Sequence, residues 1–274
     1  MIGARGQRDV FGRVGVVVLV LVYGVPLVYL IATSLKNRVQ IFDAPASLLF
    51  HPTFSSYESV ISSDLARAAA NTAIIAFGTT ALILVLGTPA AYWLSRNRSF
   101  LATVAVASLI LLQMVPQATT VIPLFKVMAL FGLIGQLLSV ILADASLLLP
   151  FAVILLRPFF DAVPAELEEA ASIDGASRFR VLTRIALPLV RNGLLTVGTL
   201  VWIIAWGEFL YAITFLTEEE RLPLSALLAR QISQFGTDWG PLMALAVLIA
   251  LPVLVVFVLT ERRLREGLVL GAER

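Results

Sequence analysis

The chain contains no cysteine, which excludes a disulfide framework and a thiolate metal site. Its one histidine, His51, has no clustered carboxylates beside it. That makes a poor metal site, and the plain reading is an exposed loop residue. Lysine occurs only at Lys36 and Lys126. Charge of either sign is scarce: 14% of the 274 residues are charged and 59% are hydrophobic, against about 25% charged in a soluble domain. Such a composition belongs to an integral membrane protein. The net charge of +2 is small and is carried by arginines in short polar stretches, a topology signal and not one for nucleic acid. There is no Gly-rich Lys-Ser/Thr phosphate loop, so the chain has no device of its own for cradling a nucleotide.

What the chain does have is six long apolar segments: Val14–Leu35, Ala68–Ser95, Ser99–Phe125, Val127–Leu156, Asn192–Thr217 and Trp239–Thr260. Each exceeds the roughly 20 residues a helix needs to cross the hydrocarbon core. A barrel would instead show alternating segments of about 10 residues, and only helices or closed barrels satisfy the backbone in lipid. The expectation is therefore an all-α integral membrane fold of six transmembrane helices. The first segment is too long for a signal-peptide core, and Thr33–Ser34–Leu35 is a poor cleavage site, so it reads as a retained helix. Arg5, Arg8 and Arg13 precede it, and positive residues favour the cytoplasm. Placing both termini inside puts 14 basic residues in the cytoplasm and six outside: Lys36, Arg38, Arg67, Lys126, Arg221 and Arg230. Tyr92 and Trp93 beside Arg96 read as an interface anchor.

Polar residues inside the apolar segments mark a candidate substrate pathway. The third segment holds Gln113 and Gln117, spaced to share a helix face, between Pro116 and Pro123, which would kink or break it. Interhelical hydrogen bonding explains such amides equally well. Asp144 lies in the fourth segment; Glu208 lies in the fifth, flanked by Trp202, Trp206 and Tyr211. A carboxylate at mid-membrane costs roughly 2.5–3.5 kcal/mol and normally faces a cavity or a partner. Carboxylates with aromatic faces suit sugars, although a structural pair, with an arginine on a partner subunit, is an equally simple account. Glu208 with Asp144 is also the one pair that an intramembrane enzyme could use.

The long charged stretch Asp161–Arg191, DAVPAELEEAASIDGASRFRVLTRIALPLVR, has the look of a surface for a soluble partner. Pro164 fits the first position of a short helix, with Glu166, Glu168 and Glu169 near its positive end and Ala170 and Ala171 on a close-packing face. Asp174–Gly175 ends it. Ser177 can cap a second, basic helix in which Phe179, Leu182, Ile185 and Ala186 recur at helical spacing. Leu187–Pro188 closes that helix before the fifth span.

These residues match the EAA loop of ABC importer permeases. The pattern is Glu169-Ala170-Ala171, Gly175 four residues on, nine further residues, then Ile185-x-Leu187-Pro188. The chain also resembles carbohydrate-uptake permeases at Pro116…Ile122–Pro123–Leu124–Phe125, at Trp206–Gly207–Glu208–Phe209–Leu210 and at Thr237–Asp238–Trp239–Gly240. Its tail, Gly267–Leu268…Gly271–Ala272, is similar to that of the smaller maltose-type subunit. Gly207 stands where that family usually has Asn.

The resemblance implies a type I importer permease fold and an obligate assembly. A second, homologous permease subunit completes the pathway in the membrane lipid. A dimer of ATPase subunits, which binds the ATP and Mg, docks below, and an extracytoplasmic solute-binding protein delivers the substrate. Glu168, Glu169, Ala170, Ala171, Asp174, Gly175, Ile185, Leu187 and Pro188 would couple to the ATPase, with Glu169 pairing to a basic residue of its cleft. The tail from Gly267 to Arg274 would reach the ATPase dimer interface. The implied division is an N-terminal tail, first helix and outside loop (1–66), a permease core (67–260) with coupling loop 161–191, and a C-terminal tail (261–274). The implied activity is sugar import across a prokaryotic plasma membrane without catalysis by this chain. The alternative is import of a non-sugar solute such as a glycerol-phosphodiester.

Overall fold

A computed structural model describes the backbone of residues 3–61, 63–233 and 236–272, and the side chains of 14–61, 64–233 and 236–261. The side chains of Arg5, Arg8, Arg13, Arg262, Arg263 and Arg265, and those of the tail from Gly267 to Arg274, lie outside that description.

The chain is helical almost throughout. Besides a 3-10 turn at Glu219–Arg221, thirteen helices are distinguished among the described residues: α1 (Gly3–Ser34), α2 (Arg38–Asp43), α3 (Ser55–Val60), α4 (Ser63–Arg96), α5 (Phe100–Gln113), α6 (Gln117–Leu130), α7 (Leu137–Asp161), α8 (Ala165–Ile173), α9 (Arg178–Leu189), α10 (Arg191–Trp206), α11 (Leu210–Phe215), α12 (Leu224–Arg230) and α13 (Trp239–Ala272). A two-residue hairpin pairs Ile232 with Thr237. Four helical stretches are long and apolar enough to cross a membrane: Val14–Ser34, Asp64–Arg96, Leu137–Asp161 and Trp239–Glu261. Two bent pairs raise the number to six if each is one span: α5 with α6, bent by 102°, and α9 with α10, bent by 80°.

The first bend corrects the continuous third segment. Pro116 is the N-cap of α6, and the amides of Met114 and Val115 fall back on the carbonyls of Leu111 and Leu112. Proline has no N–H to continue the ladder and disfavours helical geometry in the residue before it. Pro123 lies inside α6 without a break. The fourth span begins at Leu137 and not at Val127. Residues 127–130 complete α6, and the connection after them turns through Gly132 and Gly135, both at positive φ.

The structure divides into two compact units. One comprises residues 1–65 and 227–251. Within it, no residue of Val14–Ile31 is buried, and burial begins at Ala32. The polar connection after α1 is well structured. Asn37 and Gln40 form a reciprocal capping box at the start of α2. Lys36 is fully buried, and its Nζ donates to the carbonyls of Ala44 (3.2 Å) and Pro45 (2.8 Å), just beyond α2. His51 is exposed.

The other unit comprises residues 66–226 and 252–274. Its hub is α7, which packs against α5, α6, α10 and α11. Small residues on α7 (Ser139, Ala143, Ala145 and Ala152) are all buried and let neighbouring backbones approach closely. One apolar cluster joins Ile83, Leu156, Phe160, Val197 and Val201; another joins Ile75, Met128, Val140, Tyr211 and Phe215. These clusters fix the two places where polar side chains converge.

Candidate coupling site and buried polar cluster

The stretch 161–191 folds as a helix, a corner and a second helix. Pro164 is the N-cap of α8 and not its first helical residue, a shift of one position. The end of α8 is a complete Schellman motif. The amide of Ala176 donates to the Ala171 carbonyl (2.9 Å) and that of Gly175 to Ser172 (3.1 Å). Gly175 has φ +80°, which a residue with a Cβ adopts only at a cost. Ser177 then caps α9 by accepting from the amide of Arg180.

The second helix departs from the sequence reading in two ways. It does not close at Leu187–Pro188. It runs through them to Leu189 and bends at Val190, where φ −92° and ψ 8° leave the helical region. Residues 182–186 form a π turn in which the Leu187 amide reaches back to Leu182. Pro188 supplies a reason, because its ring crowds the carbonyl four residues back and it brings no N–H. The apolar stripe also differs: Val181, Leu182 and Ala186 are buried, whereas Phe179 is 75% exposed. Of the predicted coupling residues, Glu169, Ala170, Asp174, Gly175 and Pro188 are exposed, and Ala171, Ile185 and Leu187 are half-buried. Ile173, at the corner, is 86% exposed.

Glu168 is placed differently from its neighbour. It turns inward onto the end of α4. Arg96 donates to its Oε1 through Nη2 (2.6 Å) and Nε (3.0 Å), and the Tyr92 hydroxyl donates to Oε2 (2.7 Å). The same guanidinium donates to the carbonyls of Phe160 (2.9 Å) and Val163 (3.1 Å). Burial alone would raise the Glu168 carboxyl. The hydrogen bonds from Arg96 and Tyr92, with the Arg96 charge, outweigh it and hold the group below its ordinary value. Tyr92 is thus no lipid anchor. Its ring meets the edge of Phe160, and Trp93 alone of the pair stays exposed. Opposite charges on two separate polar stretches were the one available sequence signal for this arrangement.

The second cluster gathers the predicted pathway residues in part. Gln117 Nε2 donates to Glu208 Oε2 (2.9 Å), and the Tyr211 amide donates to Glu208 Oε1 (2.6 Å), so Glu208 caps the start of α11. Ser225 Oγ donates to the Glu208 carbonyl (2.5 Å), and Thr120 Oγ1 meets the Tyr211 hydroxyl (2.5 Å). The Asp144 carboxyl meets that of Glu208, and its Oδ2 is buried without a hydrogen-bond partner. Glu208 is therefore held by neutral donors of this chain. Gln113 is not part of the cluster. The 102° bend falls between it and Gln117, so the two amides do not share a helix face, and Gln113 is exposed. Trp206 is buried and stacks on Trp202 at 4.8 Å. Asp144, Trp206 and Glu208 are packed, not open, in this conformation. Thr120 stood out in the sequence only as one more polar residue of the third segment, and Ser225 carried no distinguishing signal.

The described residues make a helical chain with several apolar helices of membrane-spanning length and an exposed, capped helix–corner–helix. The family comparison agrees: the model for binding-protein-dependent transport system inner membrane components matches residues 83–264, and the chain belongs to that family. A putative ABC transporter permease protein, ORF1 of Streptomyces antibioticus, is 36% identical over 81% of this chain and 97% of its own. The diacetylchitobiose uptake system permease protein DasC of Streptomyces coelicolor is 30% identical over 97% and 99%. The trehalose transport system permease protein SugB of Mycobacterium tuberculosis is 30% identical over 90% and 91%. Among solved structures, a bacterial ABC transporter involved in import of the acidic polysaccharide alginate aligns over 96% of this chain and 99% of that one. The TM-score is 0.80 at 24% identity, which shows a shared type I ABC importer permease fold. The protein is a multi-pass ABC transporter permease.

Proposed function

We propose that this chain is one permease subunit of an ATP-driven, binding-protein-dependent sugar importer in a prokaryotic plasma membrane. The observation that carries the reading is the exposed α8–Gly175–α9 corner, in which Glu169, Ile173 and Phe179 face outward from a rigidly capped frame. An exposed acid flanked by large apolar side chains, held by a Schellman corner, is a surface for a protein partner. In this reading the partner is a dimer of ATPase subunits, which binds the ATP and Mg. In the same reading each bent pair is one crossing, which makes six, and both termini lie in the cytoplasm beside that dimer. A second, homologous permease subunit supplies the other half of the pathway, and an extracytoplasmic solute-binding protein supplies the sugar. The names of the relatives, trehalose and diacetylchitobiose permeases among them, support a sugar as the solute.

ATP can drive such a chain only by favouring one of two packings, so the corner must pass a displacement from the ATPase to the helices. The test replaces Gly175 by Trp in the assembled complex. Hydrolysis stimulated by the loaded binding protein should fall while the complex still assembles. Unchanged stimulation would overturn the reading.

A further inference from the structure

We propose that Arg96 is a positioning residue that fastens the coupling helix to the membrane body, so that α8 and the adjoining ends of α4 and α7 move as one piece. The inference deepens the reading of the corner as an ATPase contact, and rests on it for the role of α8.

A surface ion pair between flexible side chains would not do this, because such pairs are weak and mobile. Arg96 is different in geometry. Its planar guanidinium spends its donors on three separate places: the Glu168 carboxylate of α8, the Phe160 carbonyl in the last turn of α7, and the Val163 carbonyl just beyond it. The Phe160 carbonyl already accepts the Val163 amide in the closing turn (3.1 Å), and Arg96 adds a second, cationic donor at the end of the helix where the dipole favours one. Arg96 thus closes the end of α7 while gripping α8. The pair is sheltered, with side-chain exposures of 22% for Arg96 and 12% for Glu168. Tyr92, one turn earlier on α4, takes the remaining Glu168 oxygen, and Phe160 beneath it is fully buried. Both oxygens of Glu168 are therefore occupied from within the chain, while Glu169 next to it points outward. Two adjacent acids on one short helix divide the labour: one anchors, the other is presented. A lysine could not replace Arg96, since one ammonium cannot span a carboxylate and two carbonyls in a fixed plane.

The absence of cysteine allows a direct test. Ser172 on α8 and Arg98 just after α4 are both exposed and take single cysteines. Nitroxide labels on S172C/R98C report the distance between the two elements by pulsed electron paramagnetic resonance. The measurement is made in the purified complex, without nucleotide and with MgATP plus vanadate. The expected result is a single narrow distance that nucleotide leaves unchanged, and a broadened distribution in the added Arg96→Met and Arg96→Lys backgrounds. A distance that shifts with MgATP–vanadate would overturn the proposal, as would a narrow distribution in Arg96→Met. Should Arg96→Met fail to assemble, Glu168→Gln, which keeps the side-chain volume, must broaden the distribution, and the nucleotide comparison in the native background stands alone. The distance is read within this chain, so its outcome is separate from whether an ATPase docks. Stimulated hydrolysis in Gly175→Trp, whether lost or unchanged, bears on the docking reading only.

Discussion

A Cβ placed on Gly193 would collide with the ring of Phe159, meeting Cγ and both Cδ carbons well inside van der Waals distance. The aromatic ring of α7 rests on bare backbone of α10, and no side chain fits between them. Alanine there would gain about 0.5–1 kcal/mol of helix propensity. Forcing the ring out of a packed site costs about 1–3 kcal/mol. The clash prevails, so Gly193→Ala should lower the thermal unfolding midpoint of the detergent-solubilised complex, and Phe159→Ala in the same chain should recover part of the loss. Equal stability of Gly193→Ala and the parent would sink the argument.

Glu208 should matter as an acceptor before it matters as a charge. Glu208→Ala strands the buried Tyr211 amide and the Gln117 side chain, each worth about 1–3 kcal/mol when left unsatisfied. Glu208→Gln retains one acceptor oxygen and should lose roughly half as much by the same reasoning. Thermal unfolding of the two variants decides the matter: identical losses would mean that the hydrogen bonds are not what the carboxylate supplies. Asp144→Asn, which offers Glu208 an N–H from a neutral group, should be at least as stable as the parent; a clear loss would count against the pairing of the two carboxyls.

The anchor on α8 should have an acid limit. The Glu168 carboxyl is held below its ordinary value, so in acid the folded state binds fewer protons there than the unfolded chain does. Its contribution is complete above the unfolded carboxylate value of about 4.3 and is lost as pH falls through the lowered folded value. Hydrogen exchange of the α8 amides should therefore be flat from pH 7 to 5 after correction for intrinsic rates, and should accelerate further down. The difference between the parent and Glu168→Gln should vanish over that lower range. A difference that persisted there would contradict the assignment.

The connection between α11 and α12 is tied to α4 by two side chains. Asn71 Nδ2 donates to the carbonyls of Glu220 (2.9 Å) and Leu222 (3.2 Å), and Thr72 Oγ1 accepts from the Leu224 amide (2.9 Å). Each bond contributes about 0.5–1.5 kcal/mol. Asn71→Ala with Thr72→Val should expose residues 218–222 to protease while leaving the unfolding midpoint of the core little changed. Unaltered cleavage kinetics would show that the connection is held by other contacts.

Much of this was legible in the residues, and the physical reasons differ from place to place. Long apolar runs reveal helices because lipid leaves the backbone no alternative, and Gly175 after Asp174 reveals the corner because the left-handed cap admits glycine so readily. Pro116 was visible as a break but not as a bend of 102°, since proline removes a hydrogen bond without dictating where the chain goes next. The periodicity that joined Gln113 to Gln117 failed because it presumes an unbroken helix. Arg96 with Glu168 and Asn71 with Glu220 are separated by 72 and 149 residues, and no local spacing announces such pairs. The inward turn of Glu168 and the outward turn of Glu169 follow from which flank of α8 meets α4, a matter of tertiary packing.

The bend of 80° at Val190 gives the molecule a mechanical property. A straight rod passes a push along its own axis. Here the rod is a crank: α9 lies across α10, so any thrust applied along α9 would act as torque about the Val190 elbow and not as a push along α10. The π turn at residues 182–186 lies on the input arm of that crank, close to its pivot.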